Sequence, residues 1–188
     1  MRSPHGFIVS PLGDVRYNSV RNGIIISTSK EDASNSNRTA RVIELPIGYE
    51  GPVEKGDLLI VHHNVFKFYN DMQGREKSGK SFIKDNLFFV DDEQWFMFKK
   101  EGKDWQARGK YCFVEPKPLN TFFMTVPGIE YHLTGQIAYS NDELADLGIY
   151  AGDFVGFTPE SEYKFNIDGR ELYRMFTKNI CLKIEIDS

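Results

Sequence analysis

Short β-forming segments separated by turn-forming residues run along the whole chain, and this pattern limits the possible folds most strongly. Typical segments are GFIVSP (6–11), DLLIVHH (57–63) and QWFMFKK (94–100). They are rich in β-branched and aromatic residues, and Gly, Pro, Asn and Asp lie between them. One helical turn is predicted at 141–148, with Asn141 as N-cap. The sequence therefore predicts an all-β protein of the small-barrel or sandwich kind.

Composition and charge argue against several classes of function. The 188 residues are 40% apolar, and the net charge of -4 argues against a broad nucleic-acid-binding surface. No apolar run approaches the ~20 residues of a membrane-spanning helix, and the first residues do not resemble a signal peptide. We expect a cytoplasmic protein that binds neither nucleic acid nor membranes. Cys112 and Cys181 are both expected to be buried and reduced.

The segment GREKSGKS (74–81) matches the phosphate-binding P-loop pattern. A P-loop needs a strand before it and a helix N-terminus after it, because the helix dipole and free N–H groups hold the phosphates. The residues after Ser81, FIKDNLFFV, have no helical period. The segment is therefore predicted to be a polar loop between two strands, and no enzymatic activity is expected.

Five segments recur in the same order, which predicts two copies of one β-module, 1–117 and 118–188. Val53 to Val61 aligns with Ile149 to Phe157, so that Gly56-Asp57 matches Gly152-Asp153. The other four pairs are TARVIE (39–44) with TGQIAY (134–139), FKF (66–68) with YKF (163–165), EQWFMF (93–98) with ELYRMF (171–176), and YCFVE (111–115) with ICLKI (180–184). The last pair places Cys112 opposite Cys181 on the final strand of each copy.

The first copy contains two segments that the second lacks in this alignment. One is an inserted loop at 70–85, which includes the P-loop-like sequence. The other, 21–40, begins with Gly23-Ile24-Ile25-Ile26 and continues with polar and charged residues. Such a composition predicts a flexible loop. In the alternative interpretation, GIIIS is an ordinary strand of the first barrel and the loop begins at Thr28.

The order of these features resembles the GroES (chaperonin-10) co-chaperonins. The resemblance covers 6–114 and about 133–184, and it rests on the Gly-plus-tripeptide loop, the TARVIE strand (39–44) and the V-x-x-G-D turn at Val53, Gly56 and Asp57. It implies tandem small barrels, assembly into a ring, and a mobile loop that docks in a chaperonin apical domain. Carried over to this chain, the chaperonin-binding residues are Gly23, Ile24, Ile25 and Ile26.

Departures from the family pattern support a second hypothesis. Only PIGYEGP (46–52) occupies the place of the family's long roof hairpin, and only the first copy has a tripeptide in this alignment. The leading hypothesis is a non-catalytic, homo-oligomeric co-chaperonin that binds a GroEL-like chaperonin. The alternative is a structural or assembly module, for example a subunit of a larger oligomeric or viral particle.

No cofactor or metal site is predicted. The doublet His62-His63 is expected on a strand, where the two side chains would point to opposite faces and could not share one metal. The basic stretch 99–110 is interrupted by Glu101 and Asp104, which indicates a solvated hairpin rather than a nucleic-acid contact.

Overall fold

The computed structural model of the chain describes residues 2–13, 18–21, 24–27, 38–70, 72–73, 75–117 and 133–185. At 18–21, 24–27, 69, 70 and 76 the description covers the backbone alone. The chain divides into two compact units, Met1–Trp105 and Gln106–Ser188, whereas the sequence alignment divided it after Lys117.

The first unit is built on a seven-stranded sheet in the order β11-β10-β5-β4-β1-β9-β8, and β2-β3 and β6-β7 form separate two-stranded sheets. A short 3-10 turn, Asp92–Gln94, connects β9 to β10. The strands are β1 (Phe7–Pro11), β2 (Asn18–Arg21), β3 (Ile24–Ser27), β4 (Thr39–Glu44), β5 (Leu58–Val61), β6 (Phe68–Asn70), β7 (Glu76–Ser78), β8 (Phe82–Lys84), β9 (Leu87–Val90), β10 (Trp95–Lys99) and β11 (Trp105–Ala107).

The second unit is built on a six-stranded sheet in the order β15-β16-β12-β13-β14-β17. Its elements are β12 (Tyr111–Pro116), β13 (Thr134–Tyr139), α1 (Asp142–Asp146), β14 (Phe154–Phe157), β15 (Tyr163–Ile167), β16 (Arg170–Phe176), a 3-10 turn (Thr177–Asn179) and β17 (Ile180–Ile184). The predicted helical turn is confirmed: the Asn141 side chain accepts a hydrogen bond from Leu144 N–H at 2.8 Å, and Gly148 has φ +74°.

The two large sheets repeat the same topology. Read from one edge, the second sheet is β17-β14-β13-β12-β16-β15, and the first contains β10-β5-β4-β1-β9-β8 in the corresponding order. The registers also agree, because Arg41 lies opposite Leu58 in one sheet and Gln136 lies opposite Phe154 in the other. The predicted internal repeat is therefore present in the structure.

The structure corrects three of the five aligned pairs. ELYRMF, in β16, corresponds to β9 and not to EQWFMF, because Tyr173 and Phe88 lie opposite Val114 and Val9. YKF, in β15, then corresponds to β8 and not to FKF, since β15 pairs with β16 as β8 pairs with β9.

Strand β12 pairs with β13 and β16 as β1 pairs with β4 and β9, so YCFVE opens the second copy rather than closing the first. Cys112 consequently corresponds to Phe7, because these residues lie opposite Met175 and Val90. The partner of ICLKI is β10, since both strands follow a 3-10 turn and pair with β5 or β14 across a bulge.

Alternating apolar residues form the core of each unit. Along β4, Ala40 and Val42 are buried while Arg41 and Ile43 are exposed, as a strand with one core-facing side requires. Two corresponding core clusters contain, in the first unit, Phe7, Val9, Val42, Leu59, Val61 and Val90 and, in the second, Cys112, Val114, Ile137, Val155, Phe157 and Met175. Leu144 of α1 completes the second cluster.

The all-β prediction is confirmed, but closed barrels are not observed. Within the part of the chain that the structure describes, the first sheet ends at β8 and β11 and the second at β15 and β17, and neither closes on itself.

Candidate functional site

The predicted chaperonin-binding tripeptide, Ile24–Ile26, lies in strand β3. This strand pairs with β2 in an antiparallel hairpin in which Val20 lies opposite Ile25 and Arg21 opposite Ile24. Gly23 lies outside the described residues, as does most of the predicted flexible loop 21–40. By sequence, Asn22-Gly23 is a strong signal for a two-residue hairpin turn.

The alternative interpretation is confirmed in part, because Ile24–Ser27 form a strand. The strand belongs to a separate two-stranded sheet rather than to the large sheet of the first unit. The tripeptide therefore remains a candidate contact, since no other described strand pairs with β3.

The segment between β1 and β4, which includes the β2-β3 hairpin, leaves the large sheet and returns to it at neighbouring strands. Strands β1 and β4 are neighbours, and Leu12 N–H donates to the Thr39 carbonyl at 2.8 Å. Arg38, at the end of the connection, is 5% exposed, and its carbonyl accepts from Val61 N–H at 2.8 Å. Both ends of the connection are thus fixed to the sheet by backbone hydrogen bonds.

The second unit contains a corresponding connection between β12 and β13. Lys117 N–H donates to the Thr134 carbonyl at 3.3 Å, as Leu12 donates to Thr39. By sequence this connection includes Phe122-Phe123-Met124, a second apolar tripeptide, although these residues lie outside the described part of the chain. Sequence alignment missed this counterpart because it placed β12 at the end of the first copy.

The repeated Gly-Asp turn has a structural role in both units. Gly56 and Gly152 have φ values of +93° and +97°, which favour glycine. The Asp57 and Asp153 carboxylates each accept a backbone N–H at 2.8 Å, from Glu54 and Tyr150. The pKa of Asp153 is lowered, first by the Tyr150 N–H and then by the Lys183 ammonium.

Charged side chains beside the first of these turns neutralise one another. Lys100 pairs with Glu54 and, by this hydrogen bond, lowers the pKa of that carboxylate. Arg41 Nη1 donates to the Gly56 carbonyl at 3.4 Å. The shallow cleft between them has mixed charge, so it identifies no class of ligand.

The P-loop-like segment has no phosphate-binding geometry in its described part. Strand β8, not a helix, follows Ser81. Gly79 donates its N–H to the Lys67 carbonyl at 3.0 Å, and a Cβ added at Gly79 would lie 2.7 Å from that oxygen. The Lys67 carbonyl therefore lies too close to leave room for a side chain at position 79, which explains why this residue is glycine. The predicted loop 70–85 is also wrong in part, because it contains β7 and β8.

The prediction for the two histidines is wrong. The strand ends at Val61, and His62 and His63 lie in a turn with their ring centroids 4.2 Å apart. His62 Nδ1 accepts from Asn64 N–H at 3.2 Å, which occupies one metal-binding nitrogen. In the described residues, no three His, Cys, Asp or Glu side chains form a group that could hold a metal.

The cysteines differ in environment. Cys112 is fully buried, and desolvation raises its pKa to about 12, so its thiol is unreactive. Cys181 is exposed on β17, contrary to the expectation that both thiols are buried.

None of the described helices is long and apolar enough to cross a membrane. No protein-family model and no curated protein matches the chain.

Proposed function

We propose that the protein is a non-catalytic, co-chaperonin-like protein that binds the apical domain of a GroEL-like chaperonin and assists protein folding. Ile24–Ile26 are its contact residues. The observation that carries this proposal is the tandem repeat. In each large sheet the same two neighbouring strands, β1 and β4 or β12 and β13, are joined by a connection whose sequence contains an apolar tripeptide.

Simple energetics support a binding role for such segments. Burying one isoleucine side chain stabilises a complex by roughly 1.5–3 kcal/mol. Ordering each residue of a contact segment costs on the order of 1–2 kcal/mol. The net affinity of one segment is therefore small, and strong binding requires several segments that act together. Two connections per chain in an oligomer would supply that multivalency and still permit release.

A second candidate is a structural or assembly module without chaperonin binding. It is favoured by the connection between β4 and β5, Leu45–Asp57, in which the structure places turns but no roof-forming hairpin. A module of this kind would use its sheets as building blocks of a larger oligomeric or viral particle.

Co-sedimentation with a chaperonin from the same source, with and without ATP or ADP, tests the proposal. We expect nucleotide-dependent binding of the wild type and at least a tenfold loss of affinity in Ile25→Asp. The matched control is Ile47→Asp, because Ile47 is an isoleucine of the same unit that is 61% exposed and lies outside the hairpin. Equal binding by both variants, or none by the wild type, would exclude the proposed contact.

A further inference from the structure

Three positively charged side chains of the second unit surround one aromatic ring, that of Phe176 at the end of β16. Lys110 Nζ, Arg174 Cζ and Lys178 Nζ lie 5.4, 5.4 and 5.6 Å from the centroid of this ring. These distances are within the range of cation–π contacts. Lys110, Arg174 and Lys178 together are called the cationic cluster.

Aromatic rings hold the guanidinium group of Arg174 in place. Its Cζ lies 5.2 Å from the ring centroid of Tyr111 and 5.0 Å from that of Tyr163. These tyrosines belong to β12 and β15, the two strands that flank β16, and Tyr163 lies directly opposite Arg174. Burial lowers the pKa of Arg174, but an arginine keeps its charge at neutral pH. The sheet therefore presents a positive charge in a defined position.

Carboxylates neutralise other cations of the second unit, but not the two lysines of the cationic cluster. Among the described residues, no salt bridge involves Lys110 or Lys178, and both side chains are exposed. The cations that do pair with a carboxylate of the same unit are Lys117, Lys164, Arg170 and Lys183. The cluster is therefore a local positive surface on a unit whose other charges are largely balanced.

The repeated topology does not require this cluster. At the places of the arginine, the phenylalanine and the second lysine, the first unit has Phe89, Asp91 and Glu93, because the two sheets share one register and each strand is followed by a 3-10 turn. The Asp91 side chain caps its turn by accepting from Glu93 N–H at 3.0 Å, whereas Phe176 makes no side-chain cap. The second unit thus has, in place of a capping carboxylate, the ring that the three cations surround.

We infer that the cationic cluster is a docking site for an acidic segment of a partner protein. Carboxylates complement its charges, and a guanidinium group can donate two parallel hydrogen bonds to one carboxylate. Charges on three separate side chains match a chain with several carboxylates better than a single small anion. The site would act whether or not the protein binds a chaperonin.

A single-stranded nucleic acid matches this surface less well. Such strands bind by stacking their bases on the faces of aromatic side chains, in addition to phosphate contacts. Here Tyr111 is only 7% exposed, and cations already lie over the ring of Phe176. The rings therefore position the cations and leave little surface for a base.

Fluorescence anisotropy of a fluorescein-labelled oligoglutamate peptide, at low ionic strength and without chaperonin, tests the site. We expect saturable binding that weakens as salt is added, because salt screens exposed charges. A labelled Gly-Ser peptide of the same length should not bind. The net charge of -4 disfavours general attraction of an acidic peptide, so binding must depend on a local positive surface.

Charge reversal locates that surface. We expect Lys178→Glu to weaken binding roughly fivefold or more, and Lys110→Glu is a second variant expected to behave alike. Lys164→Glu is the matched control, because it changes the net charge equally. Lys164 lies opposite Tyr173, one residue from the Tyr163–Arg174 pair, so its side chain points to the other face of the sheet. Circular dichroism verifies that the variants are folded.

Several results would overturn the inference. They are no binding by the wild type, unchanged binding by both cluster variants, or an equal loss in Lys164→Glu. Tighter binding of a labelled oligothymidine strand than of oligoglutamate would also overturn it, because the cluster would then prefer phosphates to carboxylates. None of these results would affect the proposed function, since the assay contains no chaperonin.

Discussion

The large sheets of the two units contain six corresponding strands in the same order, but the corresponding strands β10 and β17 differ in how far they are covered. In the first unit, β10 has another strand on its outer side and four side chains that are nearly inaccessible. In the second unit, the corresponding strand β17 pairs, among the described strands, with β14 alone and has three consecutive exposed residues. The backbone register is kept while a buried aromatic residue is replaced by a charged one, since Phe98 corresponds to Lys183. The two units thus share their strand order and backbone pairing, whereas the exposure of the side chains on the corresponding strands differs.

Truncation of matched core positions should give the largest effect. Phe88 and Tyr173 correspond, because they lie opposite Val9 and Val114. Phe88 is 1% exposed, and its ring contacts Phe66 with centroids 4.9 Å apart, whereas Tyr173 is only partly buried. We expect Phe88→Ala to lower the free energy of unfolding by about 3–5 kcal/mol, and Tyr173→Ala by less.

Urea unfolding followed by far-ultraviolet circular dichroism measures both variants. Tryptophan fluorescence adds a local probe, because Trp95 and Trp105 both lie in the first unit. An equal loss of unfolding free energy in the two variants would contradict this prediction.

The Gly-Asp turns should respond equally to the same change. No atom lies within 4 Å of a Cβ added at Gly56 or Gly152, so alanine meets no steric clash there. The cost is the positive φ alone, about 1–2 kcal/mol in each unit. Urea midpoints of Gly56→Ala, Gly152→Ala and the double variant test this expectation. A large loss at one glycine and none at the other would show that the two turns are not energetically equivalent.

Local signals in the sequence predicted these turns and the capped helix well. Glycine at positive φ, aspartate bonded to the turn and Asn141 as N-cap are properties of a few adjacent residues. The position of β12 was not predictable in the same way, because a strand's partners are set by residues far along the chain. The shared cysteines of YCFVE and ICLKI therefore suggested a match that the register excludes. Strand β7, EKS, contains no apolar residue, so its sequence resembled a loop.

The smallest expected difference concerns the salt bridge of the turn aspartate in the second unit, Asp153 with Lys183; at the first turn the described salt bridge joins Lys100 to Glu54 instead. Where β17 carries Lys183 next to Asp153, β10 carries Phe98. The pKa of Asp153 is lowered below its usual 3.8, chiefly by the Tyr150 N–H and then by Lys183. A carboxylate with a lowered pKa stabilises the folded state above about pH 4, and this contribution is lost as the pH falls through the folded-state pKa.

Asp153→Asn should therefore destabilise the protein at pH 7 and approach wild-type stability at the lowest pH at which both remain folded. Lys183→Met, which removes only the partly exposed ion pair, should cost about 0.2–1 kcal/mol at pH 7. Urea midpoints across this pH range measure both effects. A loss in Asp153→Asn that is the same at every pH would mean that the geometry of the turn, and not the charge, distinguishes the second unit from the first.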